Sequence, residues 1–328
     1  MQPVVISLGD PAGVGPEVVA AAYQRKSDLP AVPFFAVGDI ASVRAVYDGP
    51  IRQIDSAAEA AAVFEEALPV WHIEDSGPLA PGQPTIEGAH CALHSLEMGV
   101  GLARSGEVSA LVTAPICKEQ MYKVGFTHAG QTEFIADRCG VSRTNAVMML
   151  AGPSLKVVPI TVHVPLRDVP ELLTQELIMA RAQAAARGYS KAFGDCNPRI
   201  ALAGFNPHAG ENGAIGREEI EILLPAVTQL REEGLDIFGP VSPDALFTPR
   251  MRETYDFALC LYHDQALIPL KALDFDSGVN VTLGLPIVRT SPDHGTAFDI
   301  AGQGMADAGP MLAAIRMAAD IARLRACA

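Results

Sequence analysis

Three histidines stand at the ends of apolar runs, far from one another along the chain. "VVPITVH" ends in His163, "IALAGFNPH" in His208 and "FALCLYH" in His263. Neutral imidazole suits zinc and other first-row divalent ions, and three protein ligands leave coordination positions open for substrate. Ligands of open α/β sheets bind beyond the carboxyl ends of the strands, so three strand-end imidazoles can meet around one cation. The separations, 45 residues from 163 to 208 and 55 from 208 to 263, match no local metal motif. Only tertiary convergence makes a site of them, and a strand-end histidine is also an ordinary turn residue. Asp264 follows His263 directly, and a neighbouring carboxylate can orient a ligand imidazole.

Two glycine-rich stretches are the next candidates. "GDPAGVGPE" (9–17) sits between a short apolar run and a helical pattern. Such strand-to-helix turns bind phosphate through free amides and the helix dipole. Val18 occupies the third glycine position of G-x-G-x-x-G, so the ordinary dinucleotide fingerprint is absent, and a tight turn without ligand is the competing reading. "RTSPDHGTAFDIAGQGMAD" (289–307) combines Arg, Ser, Asp, His and three Gly with little hydrophobic periodicity. A polar loop of this length between ordered segments points to function.

The elements that must carry these residues read as an alternation. Strands are expected at Val4–Leu8, at "SALVTAP" ending at Thr113, and at 156–163, 199–205 and 257–263. Helical patterns cover Gly15 onward, Ser56 onward, 86–104, 168–187, 217–233 and the Ala-rich end from Pro310. Ser56 and Glu59 form a capping-box pair, and Pro225 should kink or split its helix. Strands alternating with helices of this length indicate an α/β protein with a largely parallel sheet.

Composition narrows the function classes. The chain has 328 residues, 49% hydrophobic and 19% charged, with a formal net charge of −14. A basic nucleic-acid footprint is absent, so an anionic ligand must find its Lys and Arg locally; Lys271 and "VRTSPDHG" (288–295) are the places to look. No long apolar run suggests a membrane span. The opening "PVVISLGDP" has no basic n-region or cleavage site, so no secretory signal is expected. The six scattered cysteines, none at CxxC spacing, suit reduced thiols in a cytoplasm.

Taken together, these segments resemble the 4-hydroxythreonine-4-phosphate dehydrogenase family of vitamin B6 biosynthesis. The resemblance is carried by "ISLGDPAGVGPE", "VTAPICKE", "HAGQTEF", "HVPLRD", "GFNPHAGENG", "GREE", "GPVSPDALF", "YHDQALIPLK" and the run from Gly278 to Asp307. "DHGTAFDIAG" is also similar to the cofactor loop of isocitrate- and isopropylmalate-type dehydrogenases, whose fold the family shares. The resemblance implies two α/β/α domains with largely parallel sheets and a cleft between them. The first would comprise 1–130 plus 270–328 and the second, on the dimerisation and metal side, 131–269.

The resemblance also implies roles. His163, His208 and His263 correspond to ligands of a divalent metal (Zn, Mg or Co), with His263 expected from the partner subunit of a homodimer. Gln131, Thr132, Lys271, Asn280 and Arg289 correspond to substrate-binding positions. Lys118 and Asp264 are the catalytic candidates, Lys118 as a substrate contact or proton relay and Asp264 through His263. NAD or NADP is expected along Asp293, His294, Gly295, Thr296 and Asp299, the last as a ribose contact. The implied substrate is 4-phosphooxy-L-threonine, whose oxidised form loses CO2.

This chain departs from the family pattern at two positions. Gln131 stands where His is usual and cannot titrate near neutrality. Cys117 stands where Asn is common, and a thiol lacks most of the amide's hydrogen bonding. Relatives acting on 4-phosphoerythronate or a cis-dihydrodiol carboxylate are the nearest alternatives. A phosphate acyltransferase, or a non-catalytic metal- and phosphate-binding module, are alternatives of other classes.

Overall fold

The computed structural model describes residues 2–327. Its strands, in chain order, are β1 (Val4–Ser7), β2 (Phe34–Gly38), β3 (Ile51–Gln53), β4 (Leu68–His72), β5 (Ala110–Thr113) and β6 (Val147–Ala151). They continue as β7 (Lys156–Pro159), β8 (Ile200–Ala203), β9 (Ile237–Val241), β10 (Phe257–Cys260), β11 (Val279–Leu283) and β12 (Arg289–Pro292). Helices alternate with them, so the architecture is mixed α/β with mostly parallel strands, as the alternation predicts.

The chain divides into two compact units, one of residues 1–140 and 286–327, the other of 141–285. In the first, the strand order is β3-β4-β2-β1-β5-β12, and every pair is parallel. Chain order reverses across β1, so the crevice beyond the ends of β1 and β5 is the topological switch point where α/β sheets bind ligands. Phe34, Phe35, Ile6 and Leu111 are fully buried in this unit's core.

In the second unit the order is β11-β6-β7-β10-β8-β9. β11, β6 and β7 pair antiparallel, whereas β7, β10, β8 and β9 run parallel. The three strands that lead to the histidines are therefore the adjacent set β7-β10-β8, with their carboxyl ends on one edge. Leu150, Val157, Ala201, Ala258 and Leu270 cluster beneath them.

Several sequence expectations shift. The division falls later than 130 and 269 on both passes. The helix Gln131–Arg138 stays with the first unit because Arg138 grips Glu97 of the helix Ile86–Ser105, Nε to Oε1 at 2.9 Å and a terminal amine to Oε1 at 2.6 Å. β11 stays with the second because it pairs along its length with β6. The expected helix at 168–187 breaks into Val169–Leu172 and Gln175–Phe193, since extended Leu173 and Thr174 intervene and the Thr174 side chain caps Leu177 N–H. Pro225 divides its segment as expected, into a π-helical turn Glu219–Leu223 and an α-helix Leu224–Glu232. Ser56 and Glu59 do meet, but hydroxyl to carboxylate at 2.7 Å, and the Ser56 side chain caps no amide. Among the described residues, no helix is long and apolar enough to cross a membrane, and all six cysteines are free.

Candidate active site

A buried arginine organises the switch-point region of the first unit. Arg289 opens β12 and is 3% exposed. Its guanidinium donates to Thr113 Oγ1 at 2.7 Å, to Gln131 Oε1 at 3.0 Å and to Thr132 Oγ1 at 3.4 Å. All three acceptors are neutral. Burial pushes the guanidinium down to about 10, with Glu133 pulling the other way, so the group still carries its charge at neutral pH. An anionic ligand beside it would offset the desolvation that lowers its pKa.

Gln131 has both ends of its amide engaged here. While Oε1 accepts from Arg289, Nε2 donates to Ala114 O at 2.9 Å. Simultaneous donor and acceptor duty suits an amide and needs no titration. Three of the expected substrate positions, Gln131, Thr132 and Arg289, are thus brought together in one unit. Thr113 joins them unannounced; as the last residue of "LVT" at a strand end, its position was the only available signal.

Lys118 is exposed at the start of the helix Lys118–Lys123. Its Nζ lies 3.9 Å from where a Cβ on Gly130 would stand, so the amine reaches the turn that introduces Gln131. Cys117 occupies the cap position of that helix and its side chain caps nothing, a task an Asn could perform.

The turn after β1 does not behave as a phosphate cradle. Asp10 N–H donates to Pro115 O, Ala12 N–H to Asp10 Oδ1, Gly13 N–H to Asp10 O and Val14 N–H to Thr296 O, each at 3.0 Å. Those amides are committed to protein oxygens. Gly9, at φ +68°, has no alternative residue, because a Cβ there would lie 2.1 Å from Pro115 O. The turn instead anchors the loop at 293–306. Besides the Val14–Thr296 bond, Glu17, only 7% exposed, accepts Gly302 N–H at 2.9 Å and Ala306 N–H at 3.3 Å.

Within that loop the expected cofactor residues differ in setting. Gly295 and Asp299 are exposed, Asp293 and Thr296 half-buried. His294 Nδ1 bonds to Gly295 O at 2.9 Å and so carries the ring proton. Nε2 is left as a buried acceptor that no group in the protein meets.

The histidines belong to the second unit. Each lies a few residues beyond its strand rather than at the strand's last position, because the ladders stop at Pro159, Ala203 and Cys260. The His163 and His263 rings of one chain stand 5.7 Å apart, centroid to centroid. His263 Nδ1 bonds to Asp264 Oδ1 at 2.7 Å. The carboxylate accepts, so the ring proton sits on Nδ1 and the Nε2 lone pair is the one offered to a cation.

Two side chains tie the three loops together. Thr161, in the His163 loop, donates its hydroxyl to Leu261 O at 2.8 Å. Buried Gln265 accepts from Leu261 N–H at 2.7 Å and donates to Gly204 O at 2.8 Å, linking the His263 loop to the His208 loop. His163 and His208 both adopt φ of +52°. His208 opens a run, His208 to Asn212, in which all five residues are left-handed and four are not glycine. That conformation costs roughly 1–2 kcal/mol per L-residue, and such strain gathers at functional positions.

Lys271 and Asn280 also lie in the second unit, on the helix His263–Asp274 and on β11. Asn280 Oδ1 is buried and accepts no hydrogen bond from the protein. An unmet buried acceptor costs about 1–3 kcal/mol, which a donor on a ligand would recover.

Among the described residues, one group of three His, Cys, Asp or Glu side chains brings its ligand atoms within 4.8 Å of each other in a single chain, Asp39, His72 and Asp75. Its atoms have other work. Asp39 Oδ1 caps Ala41 N–H at 2.8 Å and Oδ2 accepts from Ser76 N–H and Oγ at 3.0 and 2.5 Å. His72 Nδ1 accepts from Ile40 N–H at 3.3 Å. These bonds fasten a helix start and a loop. His163, His208 and His263 form no such group within one chain.

Mostly parallel α/β units, the first with a buried guanidinium at its switch point and the second with imidazole loops on one strand edge, have the make-up of an α/β enzyme. The family described as pyridoxal phosphate biosynthetic protein PdxA matches residues 32–318, and the chain belongs to it. A 4-hydroxythreonine-4-phosphate dehydrogenase from Zymomonas mobilis is 54% identical, over 99% of this chain and 97% of its own. A second of that name, from Erythrobacter litoralis, is 52% identical over 99% and 98%. The crystal structure of the Klebsiella pneumoniae enzyme of that name, 37% identical, superposes with a TM-score of 0.87 over 98% of both chains. The chain is accordingly an enzyme, an oxidoreductase of this family.

Proposed function

We propose that the chain oxidises 4-phosphooxy-L-threonine with NAD or NADP and a divalent cation. The product, 2-amino-3-oxo-4-phosphooxybutanoate, decarboxylates to 3-amino-2-oxopropyl phosphate, a precursor of pyridoxine 5'-phosphate. The observation that carries this reading is the 54% identity, across nearly the whole chain, to a relative of that name.

The site residues support it. Arg289 presents a planar fork, charged at neutral pH, suited to an oxyanion of the substrate. Asn280 Oδ1 awaits a donor, and the substrate's ammonium or hydroxyl group supplies one. Lys271 is the second cation of the family's substrate set, and Lys118 is an exposed cation at the turn that introduces Gln131. Gln131 holds Arg289 and takes no proton.

The donor set suits a divalent cation: three imidazoles on loops of one strand edge, with Nδ1 of His263 bonded to Asp264 so that Nε2 is the nitrogen left to ligate. A cation held by His163, His208 and His263 would act as a Lewis acid toward the alcohol and the ensuing ketone. The nicotinamide supplies the hydride acceptor, and His294 and Asp299 are the loop residues offering it an acceptor nitrogen and an exposed carboxylate.

The subunits are proposed to pair as a cytoplasmic homodimer sharing the site. Leu166, Ile268 and Phe275 of the second unit are 64%, 66% and 72% exposed, an unusual presentation of large apolar groups unless a second copy covers them. Light scattering should give a dimer mass.

The test is NADH formation by purified protein with each candidate acid. Turnover of 4-phosphooxy-L-threonine with CO2 release is expected. Turnover of 4-phosphoerythronate alone would transfer the chain to the sugar-acid relatives.

A further inference from the structure

We infer that Glu219 is a positioning residue that holds the left-handed loop carrying His208, and that cation affinity depends on it. The inference rests on the cation reading proposed above. Five consecutive left-handed residues, four of them not glycine, do not keep that shape unaided; something in the surrounding structure must impose it. Glu219 lies beneath the loop and is 3% exposed.

Its carboxylate meets the loop's entrance at three points. Oε1 accepts Phe205 N–H at 2.8 Å and Asn206 N–H at 2.7 Å, and Oε2 accepts the Asn206 side-chain amide at 2.8 Å. Glu218 Oε2 shares that amide at 2.7 Å. A Cβ on Gly210 would stand 2.7 Å from Glu219 Oε2, so the carboxylate also fills the space under the middle of the turn. The residue opens the π-helical turn Glu219–Leu223, and π-turns inside helices gather at functional positions. A carboxylate suits this place, because the three groups bonded to it are all donors.

The contacts fix where the chain leaves β8 and hence where His208 points. Glu219 itself bonds to backbone and to an asparagine amide, so its influence on a cation is exerted through the loop. Removing partners of this kind behind a metal ligand weakens metal affinity by about tenfold to a hundredfold.

The experiment titrates cobalt(II) into cation-stripped protein by calorimetry and follows amide hydrogen exchange over residues 205–213. Glu219→Ala should weaken cobalt binding by at least about tenfold and speed exchange at Phe205 and Asn206. Glu219→Gln keeps one acceptor oxygen and should fall between it and the wild type, a grading that general loss of structure would not produce. Wild-type affinity in the Gln variant together with wild-type exchange would overturn the inference, even if the Ala variant fails to fold. His208→Ala, which leaves the clamp intact, separates the two claims. If it binds cobalt as the wild type does, the cation reading fails first and takes the inference with it.

Discussion

Arg289→Met should lower kcat/KM for the phosphorylated acid about a thousandfold while the protein remains folded. Methionine matches the stem of arginine but brings neither charge nor donors. Hydrogen bonds to charged groups contribute roughly 1.5–3 kcal/mol each. Losing a two-pronged grip on an oxyanion therefore removes about 4 kcal/mol, which is about three orders of magnitude in rate. The fold should tolerate the change because Arg289 is under desolvation stress, as its pKa of about 10 reflects. The partners it leaves can adjust: Thr113 and Thr132 present hydroxyls that rotate, and Gln131 keeps its bond to Ala114 O. Arg289→Lys keeps the charge but not the planar fork, so its loss should be smaller yet clear. Steady-state kinetics with parallel thermal melts separates the alternatives. A melting point well below wild type with unaltered kcat/KM would make Arg289 a structural pillar and not a ligand-binding group.

The second large effect is expected at His263. Its replacement by alanine should weaken divalent-cation binding by about a hundredfold or more and take turnover with it, since loss of one of three protein ligands leaves an incomplete site. Asp264→Asn is the graded companion. An amide can still meet the ring but no longer offers a carboxylate to Nδ1–H, and changes of this sort cost about tenfold. The order wild type, Asp264→Asn, His263→Ala should hold both for cation affinity and for kcat. Chelation of the wild type should abolish turnover, with recovery on adding zinc, magnesium or cobalt. Equal cation affinity in all three proteins would remove His263 from the ligand set.

Much of the framework that carries the candidate site was legible in the sequence because its parts obey local rules. Apolar runs ending in histidine pointed to the carboxyl edge of a parallel sheet, and β7, β10 and β8 are neighbours there. Strand adjacency itself was not readable, since it is set by pairing between distant segments, Ala258 with Ala201 on one side and with Val157 on the other. The runs also overshoot the strands: Ile160 and Thr161 still bond to β10 and the residue after it, but outside the regular ladder. The left-handed course of "HAGEN" is only partly marked in residue type, by His208, Gly210 and Asn212; at Ala209 and Glu211 nothing local announces it, and a buried glutamate further along imposes it. The glycine-rich turn misled for a related reason. Sequence shows that amides are present, not where they donate, and here they are consumed by Pro115, Thr296 and the turn itself. The domain boundaries moved because Arg138 and β11 follow tertiary partners, Glu97 and β6, that carry no mark of a boundary.

Gln131 shows the opposite case. Its departure from histidine was plain in the sequence, while its consequence needed coordinates. The amide spans Ala114 O and Arg289 at once, so the position serves to hold the guanidinium. On this account the enzyme lacks a titrating group there.

The most direct test of the account is the position of the bound cation. Crystals grown with zinc and measured at its absorption edge should show an anomalous peak about 2.0–2.1 Å from nitrogens of His163, His208 and His263. A peak at Asp39, His72 and Asp75 instead, with none at the three imidazoles, would contradict it.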